Sequence, residues 1–547
     1  MPSYTYPLPN LSDYDVSEKS GFLPESLPLE ELPEYYQQWE KISKSLPALL
    51  LTKKIRLVID KLPILSTEYL ETEEQFRRAY TILNFLTHSY IWGVETPTNK
   101  LPEQIAKPFI EVSNHLRLPP VGTYAGLCLW NYKLILPEFN DLLDELNTDS
   151  NGDDYDDDIT LAKKEEFLNN IQSITTYTGS IDESWFYLIS VYFEYCGASC
   201  IKIGLNSIKA TRENDCNKLI SNLQKLAELI DYLGSILLRM EEMCDPHVFY
   251  FKLRPYLAGW KNMKSAGLPD GIYYGNEPKP RVYSGGSNAQ SSLIQTLDLI
   301  LNVEHHASGE SSNENTSPSS SSSSSSSSYS SSSSSNPFMD EMRSYMPGKH
   351  ADFLEHLSKI NTVRDFVMKN ADSNDELLLS YNAAVAMLKA FRDKHIQLVT
   401  RYIIIQAQKA ANAGSSSTNK ALRTGLAKSS ASTTSSGTSK SKNELRGTGG
   451  TALLPFLKQC RDETGNTAAG NWGRRLLSDS NNVNLMKINK KLIESEKNVN
   501  ENKLSNEKLI KKNLAENSNL DKDIDSLTVG LAGTWTDDKS NINKGHW

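Results

Sequence analysis

The chain has 547 residues, 38% of them hydrophobic, and a formal net charge of −9. That length is enough for a large core, but the apolar share is low for it, so part of the chain is polar filler. The acidic balance, with no long basic block beside aromatics, argues against nucleic-acid binding; no apolar run approaches the roughly 18–20 residues of a membrane span, and Met1-Pro2-Ser3-Tyr4 does not open a signal sequence.

A soluble, cytoplasmic protein is therefore expected, with neither membrane nor nucleic acid as partner. Its six cysteines (Cys128, Cys196, Cys200, Cys216, Cys244, Cys460) form no CxxC and read as buried thiols. From the amino terminus to about residue 35, Pro7, Pro9, Pro24, Pro28 and Pro33 block any long helix and predict an extended arm lying on the body. Helical periodicity then predicts helices over 36–46, 48–59, 71–91 and 101–115, so residues 1–147 read as this arm plus a small α-helical domain. The acidic stretch within 148–160 reads as a solvated linker. An EF-hand is disfavoured because the glycine is misplaced and Thr160 stands where a bidentate glutamate is needed.

Residues 161–470 form a second, larger α-helical domain, with helices predicted over 161–173, 183–207, 216–243, 248–260, 291–304 and 353–370. A disordered insert at 305–338 is dominated by Ser311–Ser335, which lacks the apolar content to order itself. The His395 helix opens on a capping-box pattern, Ser373-Asn374-Asp375-Glu376. A polar flexible loop at 410–445 leads to Gly447-Thr448-Gly449-Gly450 and a last helix over 453–464; residues 471–547 read as a low-complexity, mostly disordered tail. No strand pair, GxGxxG after a strand or P-loop is expected, which leaves an all-α fold.

Two local patterns carry chemistry. Leu388, Phe391, Arg392, Leu398, Val399 and Tyr402 lie three, four or seven positions from His395, so its imidazole points along a mostly apolar wall. Such a histidine suits axial ligation of haem iron, although a lone histidine on an apolar face is more often a satisfied core residue. Ser284-Gly285-Gly286-Ser287, before a helix predicted from about Ser291, offers small hydroxyls and backbone N–H groups to an anion such as a haem propionate; a tight turn is the plainer reading.

Taken with Phe22-Leu23-Pro24, Leu118-Pro119-Pro120 and Tyr124, Leu257-Ala258-Gly259-Trp260-Lys261, and the Gly-rich turn at 447–450, these patterns resemble the indoleamine 2,3-dioxygenase family over most of residues 10–470. The resemblance implies two all-α domains holding haem b, and opening of the L-tryptophan pyrrole ring by O₂ to N-formyl-L-kynurenine, the first step of the kynurenine route toward NAD. It implies His395 as the proximal iron ligand, Arg392 beside a haem propionate with Asp298 supporting it, and Gly286 and Ser287 at the cofactor. It further implies Tyr124, Phe186, Ser190 and Phe249 around the indole, Arg254 on the substrate carboxylate, and Thr448 in a lid. No side chain is expected to act as acid or base. A monomer is expected, with ferrous iron in the active state and an external electron donor to reduce ferric haem. Asn288, Tyr250 and Leu127 depart from residues common in relatives, which leaves the substrate range open. An oxygen carrier or sensor on the same scaffold would need His395 but no substrate grip.

Overall fold

The computed structural model describes residues 6–136, 164–306, 337–413 and 453–479. The acidic stretch, the serine tract, most of the polar loop, the Gly447–Gly450 turn with Thr448 and nearly all of the tail lie outside the described residues.

The prolines of the arm act as expected. Among the described residues up to 36, the helical structure is two 3-10 turns, Leu11–Tyr14 and Glu34–Tyr36, and Ser17 bridges Gly21. The arm nonetheless buries Phe22 and Leu23, and Phe22 meets His350 and Phe353 edge-on at 4.9 and 5.8 Å between ring centres.

Helices then follow wherever an apolar face recurs. Gln37–Lys44, Glu73–Trp92 and Glu103–Leu116 build the amino-terminal part. The single helix predicted over 48–59 is two short ones, Leu46–Leu51 and Ile55–Ile59, because Lys53 adopts a left-handed φ of 57° between them. The Phe186 helix, Ile181–Glu213, runs 33 residues from a Ser180 cap that accepts the Glu183 N–H. Cys216–Leu238 follows directly and packs against both the Phe186 helix and the His395 helix, Asp375–Val399. The His395 helix is capped by Asn374, whose Oδ1 accepts the Leu377 N–H at 2.9 Å, and not by Ser373 as the capping-box pattern implies. It continues through a π-turn, Thr400–Ile404, into Ile405–Ala413.

The stretch predicted as one helix over 353–370 is divided into Gly348–Ile360 and Val363–Asn370, where Asn361 Oδ1 accepts the Val363 N–H. The described chain closes with Leu453–Asn466 and a further helix, Asn471–Asp479.

The expectation of no strand pairs is corrected by two minimal sheets. Strand β1 (Lys100–Leu101) pairs in parallel with β4 (Tyr273–Tyr274), and β2 (Tyr132–Leu134) pairs antiparallel with β3 (Ile171–Ser173). The latter takes over the end of the helix predicted at 161–173, because extended pairing lets β2 bury Tyr132 and Leu134 on one face. The fold remains all-α.

Apolar length needs a second correction. The Phe186 helix is long and apolar enough, by length and composition, to cross a membrane, yet 67% of its most apolar window is buried inside the protein. Its composition is that of a core helix. Gly197 and Gly204, seven residues apart on one face, let the helix Ser292–Ile300 approach closely; a Cβ at either would lie 2.0 Å from Leu293 or Ile300.

One buried ion pair ties the amino-terminal elements together. Arg78 donates to both Glu40 oxygens at 3.0 and 2.7 Å and to Thr175, and Glu40 also accepts the Leu32 N–H from the arm. Removing one partner strands the other charge in the core. Glu40→Ala is therefore expected to destabilise the fold by about 3–5 kcal/mol, read as a lower midpoint in urea unfolding; an unchanged midpoint would show that water reaches the site.

Candidate functional site

The Phe186 and His395 helices, Tyr124, the π-turn Phe249–Leu253, the loop 284–291 and the helix Leu453–Asn466 together line a cavity of about 250 Å³. Most of its wall is apolar. Phe186 and Phe249 stand 5.1 Å apart between ring centres, and Phe249 meets Tyr402 edge-on at 5.6 Å. Phe193 and Phe391 approach to 5.7 Å and so link the two long helices.

His395 lines this cavity and makes no hydrogen bond to any described residue. Burial, reinforced by the Arg392 charge, pushes its pKa down to about 4. The imidazole is therefore neutral near pH 7, and the lone pair needed for a metal bond is available.

Three residues before it, buried Arg392 donates to Asp298 at 2.6 and 2.7 Å and to Thr464 Oγ1. Burial alone would raise the Asp298 pKa, but the charges of Arg392 and His305 hold it below the usual carboxylate range. His305 bridges Asp298 through Nε2 at 3.3 Å and Glu463 through Nδ1 at 2.7 Å. Burial opposes its charge, yet the Asp298 carboxylate and the other partners raise its pKa well above the ordinary value. Ligand atoms of His305, Cys460 and Glu463 lie within 4.8 Å of one another, a spacing compatible with a metal ion. A proton suits this cluster better, because both ring nitrogens already face carboxylates and Arg392 lies 3.5 Å from Nε2.

Arg254 reaches the cavity from the first turn after the 249–253 π-turn, with its guanidinium 5.1 Å from the centre of the Tyr250 ring. Burial lowers its pKa to about 10, which leaves it cationic at neutral pH. Among the described residues the wall carries no carboxylate and no histidine other than His395.

The structure brings Tyr124, Phe186, Ser190, Phe249, Arg254, Ser287, Arg392 and His395 onto one wall. Asp298 and Gly286 are not on it. Asp298 sits behind Arg392, and Gly286 lies beside Leu127, whose Cδ1 would be 2.6 Å from a Cβ at that glycine. Ser190 Oγ donates to the Phe186 carbonyl one turn back in its own helix. Asn288 lines the cavity, whereas Tyr250 packs behind Arg254.

The glycine segment does not run straight into a helix. A 3-10 turn, Asn288–Gln290, intervenes, with Ser287 Oγ accepting the Ala289 N–H, and the next helix is capped by Ser291. The close approach made by Gly285 is to backbone. A Cβ there would lie 2.1 Å from the Leu257 carbonyl oxygen, and one on Gly259 would lie 2.4 Å from the Tyr283 oxygen. The two glycine-bearing segments thus pack backbone to backbone.

Four residues escape the sequence reading: His305, Glu463, Gln290 and Glu194. Gln290 Oε1 accepts the Tyr124 N–H and its Nε2 donates to the Gly285 carbonyl, joining two segments of the wall. No periodicity marks such residues, since Gln290 with Tyr124, His305 with Glu463 and Glu194 with Ser291 join segments 97 to 166 positions apart.

A flat, mostly apolar cofactor that needs one neutral nitrogen ligand and carries anionic edge groups fits this cavity. His395 supplies the nitrogen and Arg392 the cation.

A family model described as indoleamine 2,3-dioxygenase matches residues 10–467. The chain is 42% identical to an indoleamine 2,3-dioxygenase of Saccharomyces cerevisiae, over 84% of this chain and 94% of that protein. It is 34% identical to a 6-hydroxytryptophan 2,3-dioxygenase of Fusarium equiseti, over 83% of this chain and 96% of the relative. A human protein, indoleamine 2,3-dioxygenase 2, is 30% identical over 83% of this chain and 94% of its own length.

Proposed function

This chain belongs to the indoleamine 2,3-dioxygenase family of haem-dependent enzymes, and from that premise we propose that it opens the pyrrole ring of L-tryptophan with O₂ to give N-formyl-L-kynurenine. Both oxygen atoms enter the product. The observation that carries the reading is the shared wall: a neutral, unbonded His395 and a buried cationic Arg254 line one aromatic cavity.

His395 would hold the iron of haem b, and Arg392, braced by Asp298, would meet a propionate. When bound, reduced haem supplies the activation of O₂, which a protein side chain cannot do. The remaining work belongs to the chain. Phe186 and Phe249, packed side by side, present one aromatic face that desolvates the indole, and Arg254 grips the carboxylate through a charge-assisted contact, so that the indole C2–C3 bond is held in one orientation. Among the described residues the wall carries no general base, which suits oxygen insertion, a reaction that requires no proton abstraction by the protein. An external donor keeps the iron ferrous, and the setting is cytoplasmic, a reading supported by six cysteines that are all free thiols.

An oxygen carrier on the same scaffold has no use for a buried arginine facing its cavity. The deciding experiment gives O₂ and L-tryptophan to the anaerobically reduced holoprotein and follows N-formylkynurenine absorbance. Product formation is expected; a stable oxygenated spectrum without product would favour the carrier.

A further inference from the structure

Glu194 lies on the Phe186 helix, one turn beyond Ser190, and is 1% exposed. Its Oε1 accepts two hydroxyl donors that belong to different segments of the cavity wall: Ser291 at 2.6 Å and Tyr124 at 3.0 Å. Ser291 caps the helix Ser292–Ile300, and Tyr124 opens the turn Ala125–Leu129. The second oxygen, Oε2, is buried and has no hydrogen-bond partner. One carboxyl group thus holds three wall elements together and keeps an unused oxygen in the protein interior.

We infer that Glu194 is a positioning residue for tryptophan binding, fixing the Tyr124 and Ser291 hydroxyls on the substrate wall and doing so best as the neutral acid. This rests on the function proposed above. The charged form has the geometry against it. An anion with one bare oxygen in the interior is costly, and an indole entering the cavity would strip more water from the neighbourhood.

Burial raises the Glu194 pKa to about 7, with Ser291 and then Tyr124 pulling the other way. The titratable groups facing it are Tyr124 and Cys128, both held protonated by burial. Ser291 and Ser190 bring no charge, and no lysine or arginine among the described residues offsets the burial. Since tryptophan favours the neutral acid, affinity is fully present below about pH 7 and is lost as pH rises through that value.

The test measures the tryptophan dissociation constant of the reduced holoenzyme from its visible spectrum, together with KM and kcat, across this range. The parent is expected to bind up to about tenfold more weakly near pH 8 than near pH 6. Glu194→Gln, permanently neutral and nearly isosteric, should bind like the parent at low pH and stay flat. Ser291→Ala removes a donor that favours the carboxylate, so its transition should move to higher pH. A purely structural Glu194 would leave the Gln variant with the parent's pH profile and the Ser291→Ala transition unmoved, which overturns the inference. If the parent neither responds to tryptophan nor turns it over at any pH, the proposed function fails with it. If the parent turns over tryptophan with a flat profile, only the Glu194 inference fails.

Discussion

Replacing His395 with alanine is expected to give a folded, helical protein that loses haem during gel filtration, with retention at least about tenfold below the parent. The reason is local. Among the described residues no other histidine lines the cavity, and His305, in the network behind it, has both ring nitrogens engaged with carboxylates. The helix should tolerate the change, because alanine is its best former and the lost ring forms no hydrogen bond within the described protein. Added imidazole should enter the vacated space and restore part of the Soret band. An alanine variant with the parental haem spectrum and content would remove His395 from the iron.

Arg254→Ala should leave the haem spectrum intact and raise KM for tryptophan by about ten- to a hundredfold, since a charge-assisted contact to a buried carboxylate is worth roughly 1.5–3 kcal/mol. Arg254→Lys should recover only part of this, because an ammonium cannot form the planar two-point contact. The Tyr250 ring beneath the guanidinium adds a cation–π contact that lysine would meet differently. Tryptamine, which lacks the carboxylate, provides the control: the parent and Arg254→Ala should handle it alike. Equal KM values for tryptophan in the two proteins would dismiss the carboxylate role.

How much of this is legible in the sequence depends on the range over which each feature is specified. Phe186 and Ser190, or Arg392 and His395, sit three or four positions apart, so helical spacing alone puts each pair on one face, and the structure agrees. The breaks at Lys53 and Asn361 are missed because neither is a proline or glycine; each depends on a left-handed residue or a side-chain turn that apolar periodicity does not encode. The β2–β3 pair is missed for a different reason: a three-residue strand is too short for alternation to stand out from a helix end. His305 with Glu463, and Glu194 with Tyr124 and Ser291, are invisible because their polar partners are brought together only by tertiary packing.

The helix Leu453–Asn466 touches the site on two sides. Leu453, Phe456, Leu457 and Cys460 face the cavity, while Glu463 and Thr464 hold His305 and Arg392. Occupancy and docking are therefore thermodynamically linked. A cofactor that touches this helix only when it is docked stabilises docking by the share of its binding free energy those contacts supply, and by reciprocity an undocked helix weakens retention of the cofactor to the same degree. This segment is then the place where the apoprotein first departs from the holoprotein: its amides exchange early when the cavity is empty and late when it is filled, while those of Cys216–Leu238, packed between the two long helices, exchange alike in both.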